Sequence, residues 1–499
     1  MARAWVRELT GWLAATAVSL IAAATVASSA RADLLFRDGD SLIVAMFSQS
    51  LLAGDDLDWA MSSVLFVPES ASFTALDAAL PLGVNDLLAV SAVLNLLALY
   101  GALRLVAGRT RDGWAPVGWS LVAISVFGVL AATETSASRD SLDLGSLQLT
   151  TTYYSATVVA AVLTVGIVRR LLDRERRSVP LLSSLVVVTL ISTFSNPLFA
   201  LWTVVPLGIL LVAYALDPAQ RTRALIMLAV VAGGTALGLL ARMPCAAWIA
   251  NTGAGYAQPA LWRESLDYYG QLLGDRLQTP LGVFALLVSL ALIALAVLRS
   301  VRATDPGSRL VATLAWAMPL VVVIGAIALG THAARYLQPV AFAPVLAVVA
   351  CPRVLRLPAG LRRTGAAIAG VLLLIGGGLS IPRLADAAQA PDADLACVTD
   401  WIDESGRTGA GQFWTVRLPK LHLDDPSQLV QVDHQLNGYA WLVNRTDFEA
   451  GEVSFLVEDT QTVPWDLPRT ITPDEVVDCG RYSILDFGAD TLPLGPQRS

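Results

Sequence analysis

Apolar residues in this chain fall in long unbroken runs, most of them about as long as a bilayer crossing. A run of ~20 apolar residues covers ~30 Å of hydrocarbon as a helix. Eleven such runs are read, at about 9–30, 85–107, 114–134, 153–168, 179–195, 197–216, 223–242, 280–299, 309–330, 336–351 and 364–382. The runs at 179–195 and 336–351 are short, and Ser195-Asn196-Pro197 predicts a tight turn between the fifth and sixth. Between the first two runs, residues 31–84 form a long loop of mixed character. Beyond residue 390 the pattern changes again. Apolar and polar residues alternate in short stretches, as in Gly411–Val416 and Glu452–Val457, which predicts strands. Asp394–Ser405 predicts a short helix. The expected fold class is an α-helical polytopic membrane protein with about eleven transmembrane helices in residues 1–390. A structured first outer loop spans 31–84, and a small α/β domain follows over 391–499.

Composition agrees. Of 499 residues 55% are hydrophobic and only 15% charged, against ~25% charged in ordinary soluble domains, and the mean hydropathy is +0.60. No soluble globule of this size has interior enough for that much apolar side chain. The same arithmetic excludes disorder. A net charge of −7 and a pI near 5.1 exclude a nucleic-acid partner.

The scarce charge is unevenly placed. Alternate loops and the N-terminus carry 19 arginines, among them Arg104, Arg109 and Arg111; Arg169, Arg170, Arg174, Arg176 and Arg177; Arg299 and Arg302; Arg353, Arg356, Arg362 and Arg363. The opposite loops carry 7: Arg31, Arg37, Arg139, Arg242, Arg263, Arg276 and Arg335. Retention of positive charge in the cytoplasm predicts a multi-pass plasma-membrane protein with its N-terminus inside. An odd number of spans then places the C-terminal domain outside. Ala30-Arg31-Ala32 also resembles a signal-peptidase site, but residue 33 onward is expected outside on either reading. Residues 383–499 hold 20 acidic and 8 basic residues, with Cys397 and Cys479 among them. Disulfides persist in that compartment, so the two cysteines are expected to pair. The bridge would close a loop of about 80 residues, worth ~4 kcal/mol in the chain-entropy model. Cys245 and Cys351 are expected to be unpaired, and no Cys/His spacing suggests zinc.

Ionisable residues are nearly absent from the span interiors; Asp86 and Arg242 stand at span ends. This argues against an ion-coupled transporter and turns attention to the outer loops. In the first loop, Asp38-Gly39-Asp40-Ser41 precedes Leu42–Ala53, where Ile43, Phe47 and Leu51 make one apolar face. Such a helix suits a membrane interface. The bland reading makes Asp40 the helix N-cap and Asp38 a turn residue. A second amphipathic piece covers Trp59 to Leu80 and contains Pro68-Glu69. The second outer loop carries Glu134, Arg139, Asp140 and Asp143, read either as a solvated loop or as an acidic site. The short loop Gly330–Pro339 carries His332, Arg335 and Tyr336. Arg335 is expected at the start of a helix, where its planar fork and the helix N-terminus would grip a phosphate; the alternative is an arginine snorkelling to lipid headgroups.

This layout resembles the GT-C superfamily of membrane glycosyltransferases, which includes protein O-mannosyltransferases, lipid A aminoarabinose transferases and the oligosaccharyltransferase catalytic subunit. Its members carry an acidic motif in the first outer loop, just ahead of an interfacial helix. Asp40-Ser41-Leu42, Trp59 and Phe66-Val67-Pro68-Glu69 are similar to motifs of uncharacterised bacterial members, and Arg335-Tyr336 with Pro339 resembles a late-loop element. Two departures are evident: Ser41 stands where the family has a second acid, and Val67 separates Phe66 from Pro68. The resemblance implies transfer of a sugar from a polyprenyl-phosphate donor to a cell-envelope glycan, lipid or protein. Asp40, with Asp38 as the possible second carboxylate, would be catalytic, and Arg335, His332 and Tyr336 would bind the donor phosphate. Glu134, Asp140, Asp143 and Glu69 would form an acceptor or second acidic site. A divalent cation (Mg or Mn), if one is used, would rest on Asp40 and Asp143. The competing readings are a transporter or flippase, and a membrane scaffold whose outer domain binds partners through Trp401, Trp414, Trp441 and Trp465.

Overall fold

The computed structural model describes residues 2–108, 113–174, 178–354, 358–467 and 469–498. Arg109, Arg111, Arg176, Arg177 and Arg356, which contribute to the charge bias, lie outside the described residues. The chain divides into two compact units. One comprises Met1–Ala32, Leu88–Met243 and Gly255–Ala388; the other comprises Asp33–Leu87, Pro244–Ala254 and Gln389–Ser499. The division therefore differs from a single boundary near 390: the first loop belongs with the C-terminal domain.

The first unit is helical. Among the described residues, eight helices are long and apolar enough to cross a membrane: Ala4–Ala27, Val84–Val106, Ala115–Ala132, Ser155–Leu172, Arg221–Ala241, Pro280–Arg302, Pro306–Ala328 and Arg363–Ala388. Each matches one of the eleven expected spans. The other three form shorter helical pieces. Val179–Ser195 has 17 residues. The run at 197–216 is a π-helical turn, Ala200–Val204, followed by Val205–Ala215. The run at 336–351 breaks into Ala334–Leu337, Pro339–Phe342 and Leu346–Ala350. Pro339 and Pro344 supply no N–H to a continuous ladder. The expected turn is present: Asn196 accepts from the Leu198 N–H at 3.0 Å and donates to Thr157 Oγ1 at 3.0 Å. Small residues let helices approach, as membrane bundles require. A Cβ on Gly238 would stand 2.6 Å from the Leu190 carbonyl oxygen, and one on Gly234 would overlap Thr189 Oγ1, so Arg221–Ala241 packs backbone-close on Val179–Ser195.

The second unit is built on a seven-stranded sheet in the order Gly495–Arg498, Asn437–Tyr439, Leu429–Val432, Gly409–Gln412, Phe455–Glu458, Tyr482–Asp486, Glu475–Cys479. Period-2 alternation gives two cores. Leu429, Phe455, Val457 and Ile484 face Val398, Ile402 and Val416; Ala410, Val430, Val432 and Leu456 face Val453, Phe487 and Leu492. The helix Ala393–Ser405 forms as expected, capped by Asp392, which accepts from the Leu395 N–H at 3.0 Å. The stretch Gly411–Val416 is a strand only to Gln412; Phe413–His422 is helix. Gly409–Gln412 runs parallel to both neighbours, and parallel strands need a crossover, which this helix supplies. Cys397 and Cys479 are disulfide-bonded, with Cα atoms 5.5 Å apart.

The first loop is woven into this unit. Trp59 and Ala60 pair antiparallel with Asn444 and Val443. The helix Ile43–Ala53 buries Ile43, Val44, Ala45, Met46, Ser48 and Ser50 and packs on the helix Val67–Ala79, where Ser48 Oγ donates to Asp77 Oδ2 at 2.7 Å. Burial on this scale in protein replaces the one-sided interfacial helix expected from the sequence; Leu51 and Leu52 remain exposed.

Candidate functional site

In the helical unit, the loop after Ala115–Ala132 is organised around buried charge and is not a solvated loop. Glu134 is 3% exposed. Its two carboxylate oxygens accept from the backbone N–H groups of Gly145 and Ser146, both at 2.7 Å, and so cap the short helix Ser146–Leu149. Asp143 Oδ2 accepts from the Thr135 and Ser136 N–H groups at 3.0 and 2.8 Å, while its Oδ1 accepts from Arg276 Nη1. Arg31 completes the network. It is 1% exposed and donates to Ser146 Oγ at 2.9 Å and to the carbonyls of Ser136, Ser138 and Asp143 at 2.8–2.9 Å. Burial pushes the Glu134 carboxyl above its ordinary range, opposed by Arg31 and Arg276. Both of its oxygens accept backbone N–H, an arrangement that serves the ionised form. Glu134 and Asp143 are thus committed to holding the loop. A cation on Asp143 would have to displace Arg276.

Asp140 belongs to the same loop and is free of that duty. Its side chain is 46% exposed and lies 3.7 Å from Arg335. Arg335 sits in the 3-10 turn Ala334–Leu337, and the helix after it, Pro339–Phe342, has four residues. The helix N-terminus expected to assist Arg335 is therefore not formed, because Pro339 and Pro344 break the run.

Other elements hold this turn in place. Ser265 Oγ donates to the Thr331 carbonyl at 2.7 Å, Tyr269 shares a 2.8 Å hydrogen bond with Thr331 Oγ1, and Trp202 Nε1 donates to the Tyr336 carbonyl at 3.0 Å. Aromatic rings gather round it. Tyr336 lies 6.4 Å from Tyr256 and 6.5 Å from Tyr154 between centroids, His332 lies 5.4 Å from Tyr268, and the Arg335 guanidinium stands 5.8 Å from the Tyr336 ring. Tyr268 is pushed up to about 12, first by burial and then by the Asp140 carboxylate, so it stays a neutral hydrogen-bonding group at physiological pH. Arg335, His332 and Tyr336 are thus brought together with Asp140 in one arginine–carboxylate pair bordered by tyrosines.

In the second unit, the turn Asp38–Ser41 leads into Ile43–Ala53. The helix N-cap is Leu42, with no side-chain cap, so Asp40 is not the N-cap. Asp38 takes the local structural role, accepting from the Ser41 N–H at 3.3 Å. The turn lies against the helix Phe413–His422: a Cβ on Gly39 would stand 3.2 Å from both Arg417 and Trp414. Arg417 is 0% exposed. It donates to the Gly39 carbonyl at 3.3 Å and to the Leu442 carbonyl, and its Nη2 has no hydrogen-bond partner among the described residues. Burial pulls its guanidinium down to about 10, opposed by Asp40, Asp447 and Asp38. It remains charged at neutral pH. Glu69 is buried in the first turn of Val67–Ala79.

Sequence reasoning missed Arg31, Arg276 and Arg417 as organisers, and Tyr154, Trp202, Tyr256 and Tyr268 as neighbours of Arg335. For the first two a signal existed: an arginine on the arginine-poor side needs a local reason to be there. Arg417 had no such signal. Among the described residues, no group of three or more His, Cys, Asp or Glu is arranged to hold a metal ion. No family model and no curated protein matches the sequence.

Proposed function

We propose that the protein is a membrane glycosyltransferase using a polyprenyl-phosphate-linked sugar, with its chemistry at the arginine-poor side, outside the cytoplasm. The observation that carries this reading is the Arg335–Asp140 pair, bordered by Tyr154, Tyr256, Tyr268 and Tyr336. Such a cluster offers one planar cation for a phosphate and flat amphipathic rings for a sugar.

Asp40 is assigned the role of general base. It accepts the proton of an acceptor hydroxyl as that oxygen attacks the anomeric carbon. The new glycosidic C–O bond forms as the bond to phosphate oxygen breaks, configuration inverts, and polyprenyl phosphate leaves with the electron pair. The acceptor is a cell-envelope glycan, lipid or protein.

The test is incubation of the purified full chain in detergent with a panel of polyprenyl-phosphate sugars, reading sugar transfer and release of polyprenyl phosphate. The expected result is transfer by the wild type and a loss of about 10²–10⁴-fold in Asp40→Asn, with the fold kept as read by circular dichroism below its melting temperature. Full activity in Asp40→Asn removes the assigned base. No transfer from any donor removes the enzymatic reading.

A further inference from the structure

A second charged region lies at the opposite, arginine-rich ends of the same helices. Among the described residues, a cavity of about 700 Å³ is lined by Arg169, Arg170, Arg174, Arg299, Arg302 and Arg353 and by two carboxylates, Asp173 and Asp305. Both carboxylates have partners. Asp173 lies 3.5 Å from Arg169, and Asp305 caps the helix Pro306–Ala328, accepting from the Ser308 N–H at 2.6 Å. Among the described lining residues, arginines therefore outnumber carboxylates six to two.

The positive-inside rule accounts for arginines in these loops but not for their convergence on a concave surface. Four of them are fixed by protein acceptors, Arg174 by Ser178 Oγ at 2.7 Å. Arg169 donates to the carbonyls of Val106 and Val349 and to Ser308 Oγ. Arg299 donates to the Val348 carbonyl at 3.0 Å, and Arg170 to those of Leu105 and Gly108 at 3.2 Å. Arg302 and Arg353 are exposed at this lining. Leu295 and Leu298 also line the cavity, and Leu298 is 44% exposed on its apolar helix, so an apolar wall adjoins the basic one.

We propose that this cavity binds a phosphate-bearing anion carrying at least two negative charges. Pre-placed guanidinium groups recognise phosphate oxygens bidentately. The source is either a phospholipid headgroup, whose chains would lie along the Leu298 face, or a soluble phosphate compound.

The experiment uses the purified full chain, the double variant Arg302→Gln/Arg353→Gln, and a charge-matched control, Arg221→Gln/Arg363→Gln, whose residues are outside the cavity lining. Binding is measured with two probes: phosphatidylcholine nanodiscs doped with cardiolipin, read by native mass spectrometry of retained lipid, and inorganic pyrophosphate, read by calorimetry. The expected result is at least a tenfold loss of binding in the cavity variant and less than a twofold change in the control. Loss confined to cardiolipin identifies a lipid headgroup; loss confined to pyrophosphate identifies a soluble ligand. Equal effects of the two variants, or no binding of either probe by the wild type, overturn the proposal. Neither readout depends on sugar transfer, so it stands or falls apart from the glycosyltransferase reading.

Discussion

Arg31 and Asp140 both contact the 134–149 region, and the structure gives them opposite mutational signatures. Arg31 is enclosed, and its loss leaves Ser146 Oγ and three backbone carbonyls without their guanidinium donor and removes the main positive charge opposing the burial of Glu134. Breaking a buried charge network by removing one partner costs about 3–5 kcal/mol. Arg31→Leu is therefore expected to lower the melting temperature of the detergent-solubilised protein sharply. Asp140→Asn, at a half-exposed site, is expected to change stability by less than ~1 kcal/mol while impairing any activity that uses Arg335. Tryptophan-fluorescence melts of the two variants, run side by side, check this; equal melts would mean that Arg31 does not organise the loop. A second residue-scale expectation concerns pH. Arg407 grips Asp486 through two 2.7 Å hydrogen bonds, which hold the Asp486 carboxyl below its usual value. A depressed acid contributes stability above its unfolded pKa of about 3.9 and loses it as pH falls through the folded value. Arg407→Gln is expected to destabilise the second unit at pH 7 but not in strong acid, where the two proteins should converge. Acid titration of unfolding with both chains is the measurement. Asp38 and Asp40 were readable as candidates because their chemistry is local. Arg31 was visible only as an outer-loop arginine, since its burial depends on partners more than a hundred positions away.

At the scale of elements, legibility followed the range of the contacts that decide each one. The long apolar helices need no partner to be recognised, and all eight were found. The helix Ala393–Ser405 was found because its cap and apolar spacing are local. Phe413–Val416, read as part of a strand, opens the helix Phe413–His422 instead, because what decides it is the parallel pairing of Gly409–Gln412 on both sides, a long-range fact. The first loop was read as structured, but its antiparallel partners, Val443 and Asn444, were not foreseen, because they lie nearly four hundred residues on. Asn444 also heads a glycosylation sequon, yet it is buried and donates to the Asp56 carbonyl at 2.7 Å, so it is committed to the fold. The disulfide was legible from compartment and count, and it ties the helix Ala393–Ser405 to the edge strand Glu475–Cys479. With the cysteines 82 positions apart, the chain-entropy model gives ~4 kcal/mol. Cys397→Ser/Cys479→Ser is expected to shift proteolysis of the 389–499 region to much lower temperature, and reductant to do the same to the wild type only. Equal protease resistance of the double serine variant and the oxidised wild type would falsify the stabilising role.

For the whole molecule, the decisive quantity is sidedness, and the two free cysteines report on it without any engineering. Cys245 lies just beyond the end of Arg221–Ala241, in the segment Met243–Trp248; Cys351 lines the arginine-rich cavity. The charge bias that orients the chain is therefore also a statement about these two thiols: one belongs to the arginine-poor side, the other to the arginine-rich side. Both are partly exposed. In intact cells, a membrane-impermeant maleimide is expected to modify Cys245 and spare Cys351, which should react only after permeabilisation. Cys397 and Cys479 are bonded to each other and should stay unlabelled until reduced, giving a baseline in the same sample. Labelling of Cys351 alone from outside would invert the orientation and place Arg335 and Asp140 in the cytoplasm, where a donor presented at the outer surface cannot reach them. Labelling of both from outside would mean an even number of crossings between residues 245 and 351. That is fewer than the three expected from the runs at 280–299, 309–330 and 336–351, and the segment that yields is the last, because Pro339 and Pro344 already divide Ala334–Ala350 into pieces too short to cross alone.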